Sequence, residues 1–126
     1  MKRYILQKLQ AWKSSKPRKP LILNGVRQCG KTYILAEFGQ IAFPVVHHFN
    51  FEEQKNLAAI FDDNLTPKTL LQKLSFIAER DIDTQHDLVI FDEIQACPNA
   101  LTSLKYFAEQ MPDLAIACAG SLLGLS

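Results

Sequence analysis

One octapeptide constrains this chain more than any other feature. Gly25-Val26-Arg27-Gln28-Cys29-Gly30-Lys31-Thr32 fits the pattern G-x-x-x-x-G-K-[ST]. Average composition gives a chance match of roughly 0.5% in a chain of this size, so an accident is a poor explanation. Its context also fits. The apolar stretch Leu21-Ile22-Leu23-Asn24 reads as a strand before it. Lys31 to Phe38 reads as a helix after it, with Ile34, Leu35 and Phe38 on one side and Gly39 placed to stop it. A strand, a glycine loop and a helix in this order form one unit of a parallel α/β sheet.

The residue types carry a specific chemistry. Gly25 and Gly30 let backbone N–H groups turn inward around phosphate oxygens, and the following helix presents its positive dipole end. Lys31 is placed to reach the β- and γ-phosphates as a point charge, and the Thr32 hydroxyl to bind Mg²⁺. Arg27 and Gln28 read equally as solvent-facing residues or as contacts to nucleotide or a neighbouring subunit. Cys29 lies near a helix N-terminus and Lys31, a setting that favours the thiolate; it also reads as a small loop filler.

The rest of the chain alternates in the same way. Residues 1–14 form an amphipathic helix with Ile5, Leu9 and Trp12 on one stripe. Ser14 to Pro20 is a basic connector. Val45 to Phe51 is a second strand, and Glu52 to Phe61 a short helix. Thr66 is placed to cap a helix beginning at Pro67, with Leu70, Leu74, Ile77 and Ala78 as its stripe. Leu88 to Phe91 is a third strand. Asn99 is placed to cap a helix striped by Leu101, Leu104, Ala108 and Met111. Leu114 to Ala119 is a fourth strand. Wholly apolar strands suit a parallel sheet buried on both faces.

The third strand runs directly into Asp92 and Glu93, 61 positions after Lys31. Parallel sheets bind ligands at the carboxyl ends of their strands. Asp92 is expected to hold Mg²⁺ through water, and Glu93 to orient the attacking water and accept its proton. Ser121, just after the fourth strand, reads either as a polar residue sensing the γ-phosphate or as part of an ordinary turn. Adjacent strand residues point to opposite faces, so His47 and His48 cannot share one ion. Asp62-Asp63-Asn64 lacks the glycine and distal glutamate of a calcium loop.

Charge is lopsided although the net value is only +1. Residues 1–31 carry nine basic and no acidic side chains; residues 32–126 carry five basic and thirteen acidic ones, so the two parts hold +9 and −8. Such a basic segment suits phosphate, nucleic acid or acidic lipid, and an amphipathic helix there also suits simple packing on the domain. The three cysteines, Cys29, Cys97 and Cys118, are odd in number and widely spaced, which excludes a disulfide framework. Apolar runs are too short for a membrane span and no signal-peptide pattern precedes the domain. A soluble, cytoplasmic protein is the expectation, with no membrane partner.

Several segments together are similar to a prokaryotic branch of AAA-type P-loop ATPases: Lys19 to Thr32, Asn50-Phe51-Glu52, Phe91-Asp92-Glu93-Ile94-Gln95 and Gly120-Ser121-Leu122-Leu123-Gly124. The resemblance implies a P-loop NTPase three-layer α/β sandwich with a mainly parallel sheet ordered 5-1-4-3-2. It implies ATP and Mg²⁺ as ligands. ATP contacts run from Gly25 through Val26, Arg27, Gln28, Cys29, Gly30, Lys31 and Thr32 to Tyr33, and the metal falls to Thr32 and Asp92. Lys31, Glu93 and Ser121 take the catalytic roles. Residues 1–16 are expected as a basic helix and 17–126 as a core running from the Walker A loop through the Walker B acids to the sensor-1 region. Relatives add a fifth strand, a helical lid, an arginine finger or sensor arginine and a C-terminal domain, and their trans arginine fingers imply a ring or dimer for the intact protein. On this reading the chain is truncated before the fifth strand, its first strand lies at a sheet edge, and alone it is marginally stable or aggregation-prone and weak or inactive as an ATPase. The opposing reading is a non-hydrolysing module that binds nucleotide or nucleic acid through its basic arm. A GTPase is disfavoured because no Asn-Lys-x-Asp motif is present, and a small-molecule kinase because nothing resembles a phosphoacceptor pocket.

Overall fold

The computed structural model describes residues 2–15, 18–25 and 31–121, with backbone only at 2, 3, 24, 25, 31 and 32. Four strands alternate with helices: α1 (Lys2–Ser14), β1 (Leu21–Gly25), α2 (Lys31–Ala42), β2 (Val46–Asn50), α3 (Leu57–Ile60), α4 (Pro67–Ala78), β3 (Leu88–Asp92), a 3-10 turn (Ile94–Ala96), α5 (Pro98–Gln110) and β4 (Ala115–Ser121). The sheet is wholly parallel in the order β1-β4-β3-β2. This is the expected α/β sandwich, with strands in the order the resemblance implies. Among the described strands β1 is the outer one on its side, and Ile22 is exposed there.

Strand parity builds the three layers. On β3, Leu88 and Ile90 face α1 and α2, while Val89 and Phe91 face α3, α4 and α5. On β4, Ala115, Ala117 and Ala119 take the first face, and Ile116 and Cys118 the second. The second face holds an aromatic cluster: Phe91 lies 6.2 Å from Phe49, 5.4 Å from Phe51 and 6.2 Å from Phe61, centroid to centroid. Burying each such ring stabilises the fold by about 1.5–3 kcal/mol before packing effects.

The small residues on the first face let α2 sit close to the sheet. Gly39 does not stop α2, which continues to Ala42. A Cβ there would lie 2.8 Å from Val46 Cγ2 and 2.9 Å from Leu88 Cδ2. Gly39 therefore serves close approach of helix to sheet rather than termination.

Two further local expectations are corrected. The stretch after β2 is mostly turns, with only the single helical turn α3. Asn99 does not cap α5: Cys97 is the N-cap residue, Pro98 opens the helix, and Asn99 Nδ2 donates to the carbonyl of Phe61 at 3.1 Å. The buried face of α5 is Ala100, Ser103, Leu104 and Phe107.

The N-terminal helix packs as part of the domain. Leu9 is fully buried, and Ile5, Leu6 and Trp12 pack around it against α2 and the sheet. Two of the basic residues are used internally. Lys13 Nζ donates to the carbonyl of Ala42 at 2.6 Å and lies over the Phe43 ring. Arg18 donates to the carbonyls of Lys13 and Asp113 and lies over Trp12. Partial burial lowers the Arg18 pKa from its ordinary value, with Asp113 opposing that shift. These contacts tie α1 to the end of α2 and to the loop before β4. No helix among the described residues is long and apolar enough to cross a membrane.

Candidate functional site

The parallel order brings the carboxyl ends of β1, β4 and β3 side by side. Gly25, which closes β1, pairs with Ser121, which closes β4; β4 in turn pairs with β3, which closes on Asp92. The first glycine of the octapeptide, the candidate sensor and the two candidate acids thus meet at one sheet edge. α2 begins at Lys31, so the segment leading into it starts from the same edge. Val26, Arg27, Gln28, Cys29 and Gly30 lie outside the described residues, as do the side chains of Lys31 and Thr32 and the tail from Leu122. Tyr33, in the first turn of α2, is exposed.

Asp92 is 3% exposed yet held from both sides. Its Oδ1 accepts the backbone N–H of Glu93 at 2.9 Å. Its Oδ2 lies 3.1 Å from Nε2 of His48, and an ionised carboxylate only accepts, so that ring nitrogen donates. His48 is a residue that sequence reasoning missed. Parity places it on the Asp92 side of the sheet, but only the β2–β3 register, His48 opposite Ile90 and Asn50 opposite Asp92, brings the two together. His47 points the other way and donates to buried Asp87 at 2.8 Å, toward the opposite ends of the strands. The separation of the two histidines matches expectation.

Glu93 adopts a left-handed backbone, φ 52° and ψ 47°. That conformation costs a non-glycine residue about 1–2 kcal/mol. It turns the chain sharply out of β3 into the 3-10 turn. The turn is fastened by the Ala96 N–H donating to the Glu93 carbonyl at 3.1 Å and by fully buried Ile94. Gln95 of that turn reaches both neighbours: its Nε2 donates to Glu93 Oε1 at 2.8 Å, and its Oε1 accepts the Ser121 N–H at 3.3 Å.

Asn50 has a structural part. Its Oδ1 accepts the N–H groups of Glu52 and Glu53 at 2.9 and 3.0 Å, which closes the turn after β2 beside Asp92. Away from this edge, burial raises the thiol pKa of Cys97 and of Cys118. Among the described residues no three His, Cys, Asp or Glu side chains cluster as a metal-holding group. The metal expectation therefore rests on Asp92 together with Thr32, hard oxygen donors that suit Mg²⁺.

The model of a protein family described as an AAA domain matches residues 17–126. No curated protein matches the chain.

Proposed function

The chain belongs to the AAA domain family, and from that premise we propose that it binds Mg-ATP at the carboxyl edge of β1, β4 and β3 and, in the intact protein, hydrolyses it there. The observation that carries the reading is the meeting of Gly25, Ser121 and Asp92-Glu93 at one edge of a parallel sheet, where the G-x-x-x-x-G-K-T segment begins. Family membership itself supports a nucleotide-binding, ATPase-like domain.

In this proposal the backbone from Gly25 to Gly30 cradles the phosphates, Lys31 neutralises charge on the β- and γ-phosphates, and Tyr33 flanks the nucleotide. Mg²⁺ would be held by Thr32 and Asp92 and would supply charge neutralisation across the phosphates. His48 and the Glu93 N–H hold the Asp92 carboxylate in one orientation. Glu93 orients the attacking water and takes its proton, a contribution of typically 10²–10⁴-fold. Ser121 senses the γ-phosphate from the end of β4. Residues 17–126 act as the ATPase core, and turnover drives or gates a C-terminal partner domain of the kind the resemblance implies.

The alternative, a module working on nucleic acid through its basic arm, loses support from Lys13 and Arg18, both engaged within the domain. The two readings separate on one comparison. Glu93→Gln is expected to keep Mg-ATP binding and lose turnover by 10²-fold or more. Equal turnover by wild type and Glu93→Gln would remove the hydrolytic reading.

A further inference from the structure

The Gln95 carboxamide lies between two groups that the proposed chemistry uses and that no bond of the sheet joins. Its orientation is set by its partners. A carboxylate can only accept and a backbone N–H can only donate, so Nε2 faces Glu93 and Oε1 faces Ser121. Both ends are used in their proper sense. Gln95 itself sits in the 3-10 turn that is anchored by buried Ile94 and closed by backbone bonds from Ala96 and Cys97. Its backbone is therefore fixed, and the side chain spans the gap from a rigid base. Ser121 pairs in turn with Gly25. One side chain thus connects the Glu93 carboxylate to the strand end that lies against the start of the phosphate-loop segment.

We infer that Gln95 is a positioning residue: its carboxamide clamps the Glu93 side chain to the end of β4, so that the carboxylate is aimed by the position of Ser121. This rests on the hydrolytic reading above. Glu93 leaves β3 in a left-handed conformation and its side chain has no other hydrogen bond among the described residues. Without Gln95 the carboxylate would sample several rotamers, and misplacement of a reacting group by about 1 Å can cost 10²-fold in rate. Gln95 touches neither substrate nor water in this account; it acts through Glu93.

Two variants separate this from a structural role. Gln95→Ala removes both contacts. Gln95→Glu keeps an acceptor for the Ser121 N–H but replaces the donor to Glu93 with a second carboxylate oxygen. Both are expected to lower kcat roughly ten- to a hundredfold, with the Kd for Mg-ATP unchanged within about twofold. In a Glu93→Gln background neither is expected to lower the residual rate further, because a residue acting through Glu93 has nothing left to act on. Wild-type behaviour of Gln95→Glu, or an equal loss in both backgrounds, would overturn the inference. Failure of the underlying reading looks different: wild type and Glu93→Gln then turn over alike, or not at all.

The clamp itself is also visible without turnover. In wild-type protein the Gln95 side-chain NH₂ resonances, identified by their loss in Gln95→Ala, are expected to shift in Glu93→Ala. The Ser121 amide is expected to shift in Gln95→Ala. If neither moves, the clamp is absent and the inference falls.

Discussion

Phe91 immediately precedes Asp92, and its ring is what seats the end of β3 against the helical layer of α3, α4 and α5. It is fully buried and meets Phe49, Phe51 and Phe61. Replacing a buried Phe by Ala costs about 3–5 kcal/mol, and the loss of three tilted or edge-on ring contacts points to the upper part of that range. Taking about 4 kcal/mol, and an urea slope of about 2 kcal/mol/M, Phe91→Ala should lower the midpoint by about 2 M. With about 2.1 cal/mol/K per residue over this chain, the thermal midpoint should fall by about 15 °C. The single tryptophan makes the assay informative. Trp12 lies on the opposite face of the sheet, 6.5 Å from Phe38. If both layers unfold as one unit, Trp12 fluorescence and far-UV circular dichroism should shift together. A shift below about 0.7 M at unchanged slope would refute the importance given to the cluster. A Trp12 transition that stays put while the dichroism moves would refute a single cooperative core.

Gly39→Ala should destabilise the domain by about 1 kcal/mol, measured by thermal unfolding, because the clash with Val46 and Leu88 outweighs the gain in helix propensity; stabilisation would contradict the close-approach argument. In a Cys29→Ser background, where Cys97 and Cys118 remain, a thiol reagent such as DTNB should label nothing quickly in the native state and two equivalents after denaturation. Burial raises both thiol pKa values, and fast native labelling would count against the buried positions. Asp83 has its carboxyl pKa lowered by the hydrogen bond from His86 and then by the Gln85 N–H. A depressed carboxyl contributes stability above its unfolded value and loses it as pH falls from the ordinary carboxylate range through the lowered one. Asp83→Asn should therefore flatten that part of the stability–pH curve; an unchanged acid limb would argue against the contact.

The fold was legible because its signals are strong and local. Wholly apolar Leu88–Phe91 and Leu114–Ala119 read directly as buried parallel strands, and the Pro67 start of α4 follows from proline at the first helical turn. Misreadings came where tertiary contact overrides local preference. Gly39 looks like a stop signal and is a packing device, a distinction set by Val46 and Leu88 from other elements. Asn99 looks like a cap, but Pro98 at the first helical position moves the helix start two residues earlier and frees the amide to reach Phe61. At the site, Asp92 and Glu93 stand out from the strand before them. His48 and Gln95 do not, because their partners are defined by strand register and by the left-handed turn at Glu93. Strand parity offered a hint for His48; for Gln95 the hints were its nearness to the acids and its place in the Phe91-to-Gln95 segment of the resemblance.

In the proposed function the segment from Gly25 to Thr32 holds the phosphates of ATP at this sheet edge. Equilibrium titration of the chain with Mg-ATP, beside Lys31→Ala, tests it most directly. Saturable binding by wild type is expected, with a matching rise in thermal midpoint that follows from ligand linkage to the folded state. Both effects should weaken at least tenfold in affinity in Lys31→Ala, since a charge-assisted contact to phosphate contributes about 1.5–3 kcal/mol. Wild type that does not bind Mg-ATP, or Lys31→Ala that binds as tightly as wild type, would contradict it.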